Sequence, residues 1–170
     1  MKLDKYIRDI PDFPKKGIIF KDITTLLMDK DAIKSCIDQM AEKYRGEKID
    51  KIIGVEARGF IFGGALSYIM DCGFVPIRKK GKLPYKTISE DYSLEYGTNT
   101  IEIHRDSIKE GERVIIVDDL LATGGTAEAS VKLVKKLNAD IVALEFLIEL
   151  EFLNGREKLK EVNVNSLIKY

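Results

Sequence analysis

The sequence predicts an α/β fold in which a parallel sheet is covered by helices on both faces, and three observations carry that reading. Short apolar runs rich in β-branched residues alternate along the chain with segments whose apolar residues recur at helical spacing. One run, RVIIVDD (113–119), is apolar without alternation, as in a strand buried on both sides. No repeat, low-complexity tract or Pro/Gly/Ser linker divides the 170 residues, so a single domain is expected over residues 1–170. In such folds ligands sit beyond the carboxyl ends of the strands.

The elements follow in order. Residues 3–10 have the spacing of a short amphipathic helix stopped by Pro11 and Pro14. Ile33, Cys36, Ile37, Met40, Ala41 and Tyr44 repeat at helical intervals, with Asp31 near the N-cap and Gly46 just past the end. KIIGV (51–55) reads as a strand, EARG as a turn, residues 60–71 as an apolar helix and FVPIR (74–78) as a further strand. Residues 79–97 differ in kind: KKGKLPYKTISEDYSLEYG holds lysines, a Gly-Lys-Leu-Pro turn, polar residues and tyrosines, and is expected to be a long exposed excursion. Residues 98–104 alternate as a half-buried strand does, and Gly111 marks a turn. After RVIIVDD and LLATGG come a helix over 126–137 and a strand, IVALEFLIEL (141–150).

Composition removes several functions. Lys plus Arg number 28 and Asp plus Glu 28, so the net charge is zero; a grip on nucleic acid or an anionic membrane calls for a basic excess. Cys36 and Cys72 form no C-x-x-C pair and are expected to be reduced packing residues. With His104 as its one histidine, the chain has a single imidazole to supply either a His-based metal site or a Ser-His-Asp triad, which argues against both. The opening MKLDKYIRDIPDF carries acids and no apolar core, and the longest apolar stretch, 59–70, is too short to span a bilayer. A cytoplasmic protein with neither nucleic-acid nor membrane partners is predicted.

The most informative segment is VIIVDDLLATGGT (114–126). Asp118 and Asp119 stand at the carboxyl end of a buried strand, and Thr123, Gly124, Gly125 and Thr126 open a helix. Backbone N–H groups at a helix N-terminus, unobstructed at the glycines, together with two hydroxyls make a cradle for one phosphate dianion. The segment lacks both the Gly-Lys-Ser/Thr of a triphosphate loop and G-x-G-x-x-G. Glycines alone could equally shape a tight turn with Thr126 as cap. The paired acids shift the balance, because two carboxylates at a buried strand end are costly unless they meet hydroxyls, a cation or solvent. A sugar phosphate meets both needs, with ribose hydroxyls on Asp118 and Asp119.

VDDLLATGGT resembles the phosphoribosyl pyrophosphate (PRPP) signature of type I phosphoribosyltransferases. The likeness continues in family order through DFPKKGIIFKDIT, VEARGFIFG, IRKKGKLP, YSLEYG and LIELEFLNGREKL, so the chain resembles the adenine-using branch nearly end to end. The resemblance implies the type I phosphoribosyltransferase fold, a central, mainly parallel sheet flanked by helices with a flexible hood over about 79–104. It implies a purine salvage enzyme that transfers the 5-phosphoribosyl group of PRPP to N9 of adenine, giving AMP and pyrophosphate. It further implies Mg²⁺ as cofactor, held through PRPP near Asp118 and Asp119, and a homodimer in which the segment around Arg58 and the hood lie near the partner subunit.

Roles carry over by the same resemblance. Ala122, Thr123, Gly124, Gly125 and Thr126 hold PRPP with the two aspartates, Arg58 takes pyrophosphate bidentately, and Lys79 and Lys82 add charge there. A non-proline cis peptide is expected between Ala57 and Arg58. Glu95 handles the proton at purine N7, and Tyr96 packs over the closed site. Phe20 stacks on the base, Leu150 forms the opposite wall, and the main chain at Ile19 and Lys21 reads the adenine edge. Adenine offers a 6-amino donor beside an unprotonated N1, where 6-oxopurines present an acceptor beside N1–H, so a mismatched base leaves buried groups unpaired. Lys16 replaces a proline common in relatives, Lys21 an arginine, and Tyr85 and Lys86 fall in a variable stretch; none disturbs a catalytic position. Lys80, His104 and Arg105 receive no role. Two alternatives stay open: the same fold acting on a 6-oxopurine such as xanthine, and a non-catalytic PRPP-sensing regulator. The regulator would need a basic face or a DNA-binding segment, for which 170 residues of zero net charge leave little room.

Overall fold

The structure, a computed structural model, describes residues 1–93 and 98–170. A 3-10 turn (Asp4–Tyr6) and a short strand, β1 (Arg8–Pro11), replace the helix expected over residues 3–10. β1 pairs antiparallel with β2 (Ile19–Asp22), so its backbone is satisfied by a distant segment and not by a helical turn of its own. Asp12 (φ 57°) and Gly17 (φ 87°) turn the chain between them, and the Phe13–Pro14 peptide is cis.

Helix α1 (Thr24–Met28) leads into α2 (Lys30–Glu42). The cap of α2 is Asp29 and not Asp31: its carboxylate accepts the N–H groups of Asp31 (3.0 Å) and Ala32 (2.9 Å). Ala32, Cys36, Ile37 and Met40 form the buried stripe that the periodicity predicted. Then come β3 (Lys51–Val55), α3 (Gly59–Ile69), β4 (Gly73–Lys79), β5 (Thr87–Ser93) and β6 (Thr98–His104). The chain continues with β7 (Arg113–Leu121), α4 (Gly125–Lys135) and β8 (Asp140–Glu149). Two 3-10 turns, Glu151–Leu153 and Gly155–Leu159, precede β9 (Val164–Lys169), a strand the sequence pattern did not announce.

Among the described residues the strands form a two-stranded sheet, β1–β2, and a seven-stranded sheet ordered β5-β6-β4-β3-β7-β8-β9. From β4 to β9 neighbours run parallel, and the β5–β6 hairpin joins antiparallel at β4. The excursion expected over 79–97 is therefore partly regular: Thr87–Ser93 is an edge strand. Alternation along β7 sends Ile115 and Val117 into the core packed by α2 and α3, and Val114 and Ile116 into the core packed by α4. Burial of each such side chain contributes about 1.5–3 kcal/mol, which holds the carboxyl end of β7 between two packed layers.

Candidate active site

The functional side chains gather at the carboxyl ends of β3 and β7, which run parallel with Gly54 opposite Val117. Beyond β3 the chain turns through Glu56, Ala57 and Arg58 into α3. The cis peptide of this turn joins Glu56 to Ala57, one bond earlier than the expected Ala57–Arg58 linkage. Beyond β7, Ala122, Thr123 and Gly124 lead into α4. Gly124 is the N-cap in the left-handed region (φ 79°), and no side chain caps this helix. Thr126 is thus not the cap that a purely structural role would require; its carbonyl accepts the Ser130 hydroxyl at 2.8 Å. The first N–H groups of α4 stay free of side-chain acceptors, unlike those of α2, and carry the positive end of the helix dipole.

These two turns face one cavity of about 360 Å³, walled by Glu56 to Arg58, Tyr92, the run from Asp118 to Ala127, and Phe146. Arg58 and Asp119 form an ion pair across it, Nε to Oδ2 2.6 Å, with Arg58 half exposed and Asp119 buried. Asp118 accepts the Asp119 N–H at 2.8 Å. Burial and the adjacent Asp119 charge push the Asp118 carboxyl well above the usual carboxylate range, against the pull of that hydrogen bond and of Arg58. Two acids and one arginine within one pocket make a site that gains from a ligand bringing hydroxyls and a cation.

Glu56 and Tyr92 are cavity residues that the sequence reading did not single out. Glu56 accepts from Arg78 Nε (3.1 Å) and the Lys79 N–H (3.0 Å), pinning the Arg58 turn to the end of β4. Burial works to raise its carboxyl, but these bonds and the charges of Arg78 and Lys82 outweigh burial and hold it below the ordinary value. Lys79 and Lys82 stand beside Glu56, with the Lys82 N–H donating to the Lys79 carbonyl, and are not part of the cavity wall.

The residues expected to hold the base, Ile19, Phe20, Lys21 and Leu150, lie outside this cavity. The Phe20 ring packs edge-on against Phe13 with centroids 5.2 Å apart, and the Arg58 guanidinium lies 5.9 Å from its centroid. Ile19 is exposed, and Lys21 pairs with Asp9 at 2.7 Å while its ammonium sits 3.8 Å from the Tyr170 ring centroid. The Lys21 charge is therefore engaged by Asp9 and the Tyr170 ring. The Leu150 N–H donates to the Leu121 carbonyl at 2.9 Å, tying the expected base wall to the end of β7. Glu95 and Tyr96 lie outside the described residues.

Known proteins resemble the chain over nearly its whole length. The phosphoribosyl transferase domain model matches residues 23–166. The adenine phosphoribosyltransferase of Brachyspira hyodysenteriae is 62% identical over 100% of both chains. Among solved structures, that of Thermoanaerobacter pseudethanolicus superposes with a TM-score of 0.95 at 54% identity, covering 99% of this chain and 98% of that one. The adenine phosphoribosyltransferase of Saccharomyces cerevisiae, complexed with an imino-altritol bisphosphate and adenine, gives a TM-score of 0.92 at 40% identity, covering 97% and 96%.

Proposed function

The chain belongs to the phosphoribosyl transferase family, and from that premise we propose that it transfers the 5-phosphoribosyl group of PRPP to N9 of adenine, with AMP and pyrophosphate as products. One observation carries the reading: a helix N-terminus without a side-chain cap, an acid pair and an arginine open on a single cavity. The uncapped donors of Ala122 to Thr126 bind the 5′-phosphate. Asp118 and Asp119 accept the ribose hydroxyls, and release of Arg58 from Asp119 delivers its guanidinium to pyrophosphate. Lys79 and Lys82 neutralise the outer phosphate charge. As the glycosidic carbon becomes oxocarbenium-like, the acid pair on the ribose side and the cations on the pyrophosphate side meet the charges that develop there.

Adenine lies between Phe20 and Leu150 with its edge on the main chain of Ile19 and Lys21. Glu95 holds the proton at N7, and Tyr96 closes over the pocket to exclude water. Among the described residues no cluster of three or more His, Cys, Asp or Glu side chains could hold a metal alone. Mg²⁺ would enter with PRPP, and the raised Asp118 carboxyl beside buried Asp119 fits a nearby cation. Bound there, the ion supplies charge neutralisation of the leaving pyrophosphate.

The same reading makes the molecule a homodimer. Helix α3 is apolar nearly all round, and its outward face carries Ile61, Ile69 and Tyr68, the last 87% exposed. That face directly follows Arg58. A cytoplasmic setting fits the free cysteines, Cys36 being buried with its thiol pushed up to about 12 by burial and by Glu145. Among the described residues no helix is long and apolar enough to cross a membrane.

Pyrophosphate release measured with PRPP, Mg²⁺ and each of adenine, hypoxanthine, guanine and xanthine tests the assignment. Adenine is expected to be preferred by roughly 10⁴-fold, since a 6-oxopurine leaves paired main-chain groups unmatched. Comparable turnover of a 6-oxopurine would refute it.

A further inference from the structure

The segment EFLNGREKL (151–159) lies beyond the adenine wall and has no part in the mechanism above. We propose that Gly155 is a positioning residue for the phosphate cradle, its bare backbone forming the floor on which Ala122 to Gly124 rest. The inference rests on the reading that this cradle holds the 5′-phosphate of PRPP.

A Cβ built on Gly155 would stand 2.1 Å from the Ala122 carbonyl oxygen and 2.9 Å from the Gly124 nitrogen. Conversely, a Cβ on Gly124 would stand 2.4 Å from the Gly155 carbonyl oxygen. Both approaches are backbone against backbone, so no flexible side chain can move aside. Gly155 has no positive φ, unlike Gly124. Space and not conformation demands glycine there.

The floor is itself anchored. Arg156 donates to both carboxylate oxygens of Glu149, at 2.8 and 2.5 Å, and to the Val164 carbonyl at 2.7 Å. Ser166 on β9 completes the Glu149 shell at 2.6 Å. Asn154, in the left-handed region at φ 51°, turns the chain so that Gly155 tucks inward while Asn154 stays exposed. Gly155 is thus held from β8 and β9, and the donors above it inherit that position.

A methyl group at 2.1 Å falls short of ordinary contact at 3.4 Å, so loop or strap must give by about 1.3 Å (3.4 minus 2.1). A displacement of about 1 Å in a preorganised site can cost on the order of 10²-fold.

Steady-state kinetics on Gly155→Ala provide the test, with thermal melting followed in parallel. The KM for PRPP is expected to rise roughly 10- to 100-fold. Inhibition by AMP, which shares the 5′-phosphate, should weaken by the same factor. The KM for adenine at saturating PRPP and inhibition by pyrophosphate should stay near wild type. An unchanged KM for PRPP, or parallel loss of affinity for all four ligands, would overturn the proposal. Should Gly155→Ala not fold, Asn154→Ala disturbs the same floor without adding atoms beneath the loop, and Asn154→Gly restores left-handed freedom. Selective loss of PRPP and AMP affinity with alanine and its return with glycine are then expected; no selective loss overturns the idea. Wild-type protein that releases no pyrophosphate from PRPP and adenine would instead remove the reading of the cradle itself.

Discussion

Replacing Arg58 by glutamine removes the cation that pairs with Asp119. The ion pair measures 2.6 Å, but the arginine side chain is 48% exposed, so solvent screens it and it is worth about 0.2–1 kcal/mol in the resting protein. In turnover Arg58 must leave Asp119 for pyrophosphate, where a preorganised charge contact on a developing anion is worth about 2.7–4 kcal/mol. The variant loses the second quantity and is spared the first. The net loss of about 1.7–3.8 kcal/mol corresponds to a fall of roughly 20- to 600-fold in kcat/KM for PRPP. Pyrophosphate release at saturating adenine measures it. The melting temperature should move by no more than about 2–4 °C, because only the screened pair is lost from the fold. A fall below threefold, or a loss confined to the KM for adenine, would show that Arg58 does not meet the leaving group.

Three further outcomes are expected. Glu95→Gln should lower kcat by about 10²- to 10⁴-fold with PRPP binding nearly unchanged; an unaltered kcat sinks the proton-handling role. Asp22, held at about 2 by the Thr24 N–H and then by Arg8 and the Thr24 hydroxyl, has a depressed carboxyl. Its contribution to stability is therefore present above about pH 4 and is lost as pH falls toward 2. Urea midpoints of wild type and Asp22→Asn should differ at pH 5 and converge at pH 2, and a pH-independent difference contradicts this. Finally, a Cβ on Gly64 meets nothing within 4 Å, so Gly64→Arg fits the monomer but puts a charge on the apolar face of α3. Light scattering is expected to give a dimer for wild type and a monomer for the variant, and equal masses would exclude that face as the interface.

The sequence was most readable where local chemistry and fold agree. RVIIVDD announced a strand buried on both faces because every one of its apolar residues finds a layer to enter, and the acids at its end line the cavity. The α2 stripe was legible for the same reason. The β1–β2 hairpin was not: Leu3, Tyr6, Ile7 and Ile10 have helical spacing, and only the pairing of Arg8–Pro11 with Ile19–Asp22 makes β1 a strand. β9 escaped because VNSLIK mixes polar and apolar residues, and its partner β8 lies across two 3-10 turns. Arg58 and the cradle could be found from motifs; Glu56 could not, since its part comes from the end of β4, more than twenty residues onward. Gly155 carries no local signal at all. Its role exists only in the approach of two backbones.

That approach has a consequence for how the molecule comes into being. The residues that would touch PRPP leave the ribosome by Thr126, whereas the surface beneath them arrives with residue 155 and is locked by the strand that follows. A nascent chain therefore presents the VDDLLATGGT motif before the backbone that packs beneath it has been made. For the same reason, grafting those ten residues into another scaffold would transfer the donors without the spacing that makes them a receptor.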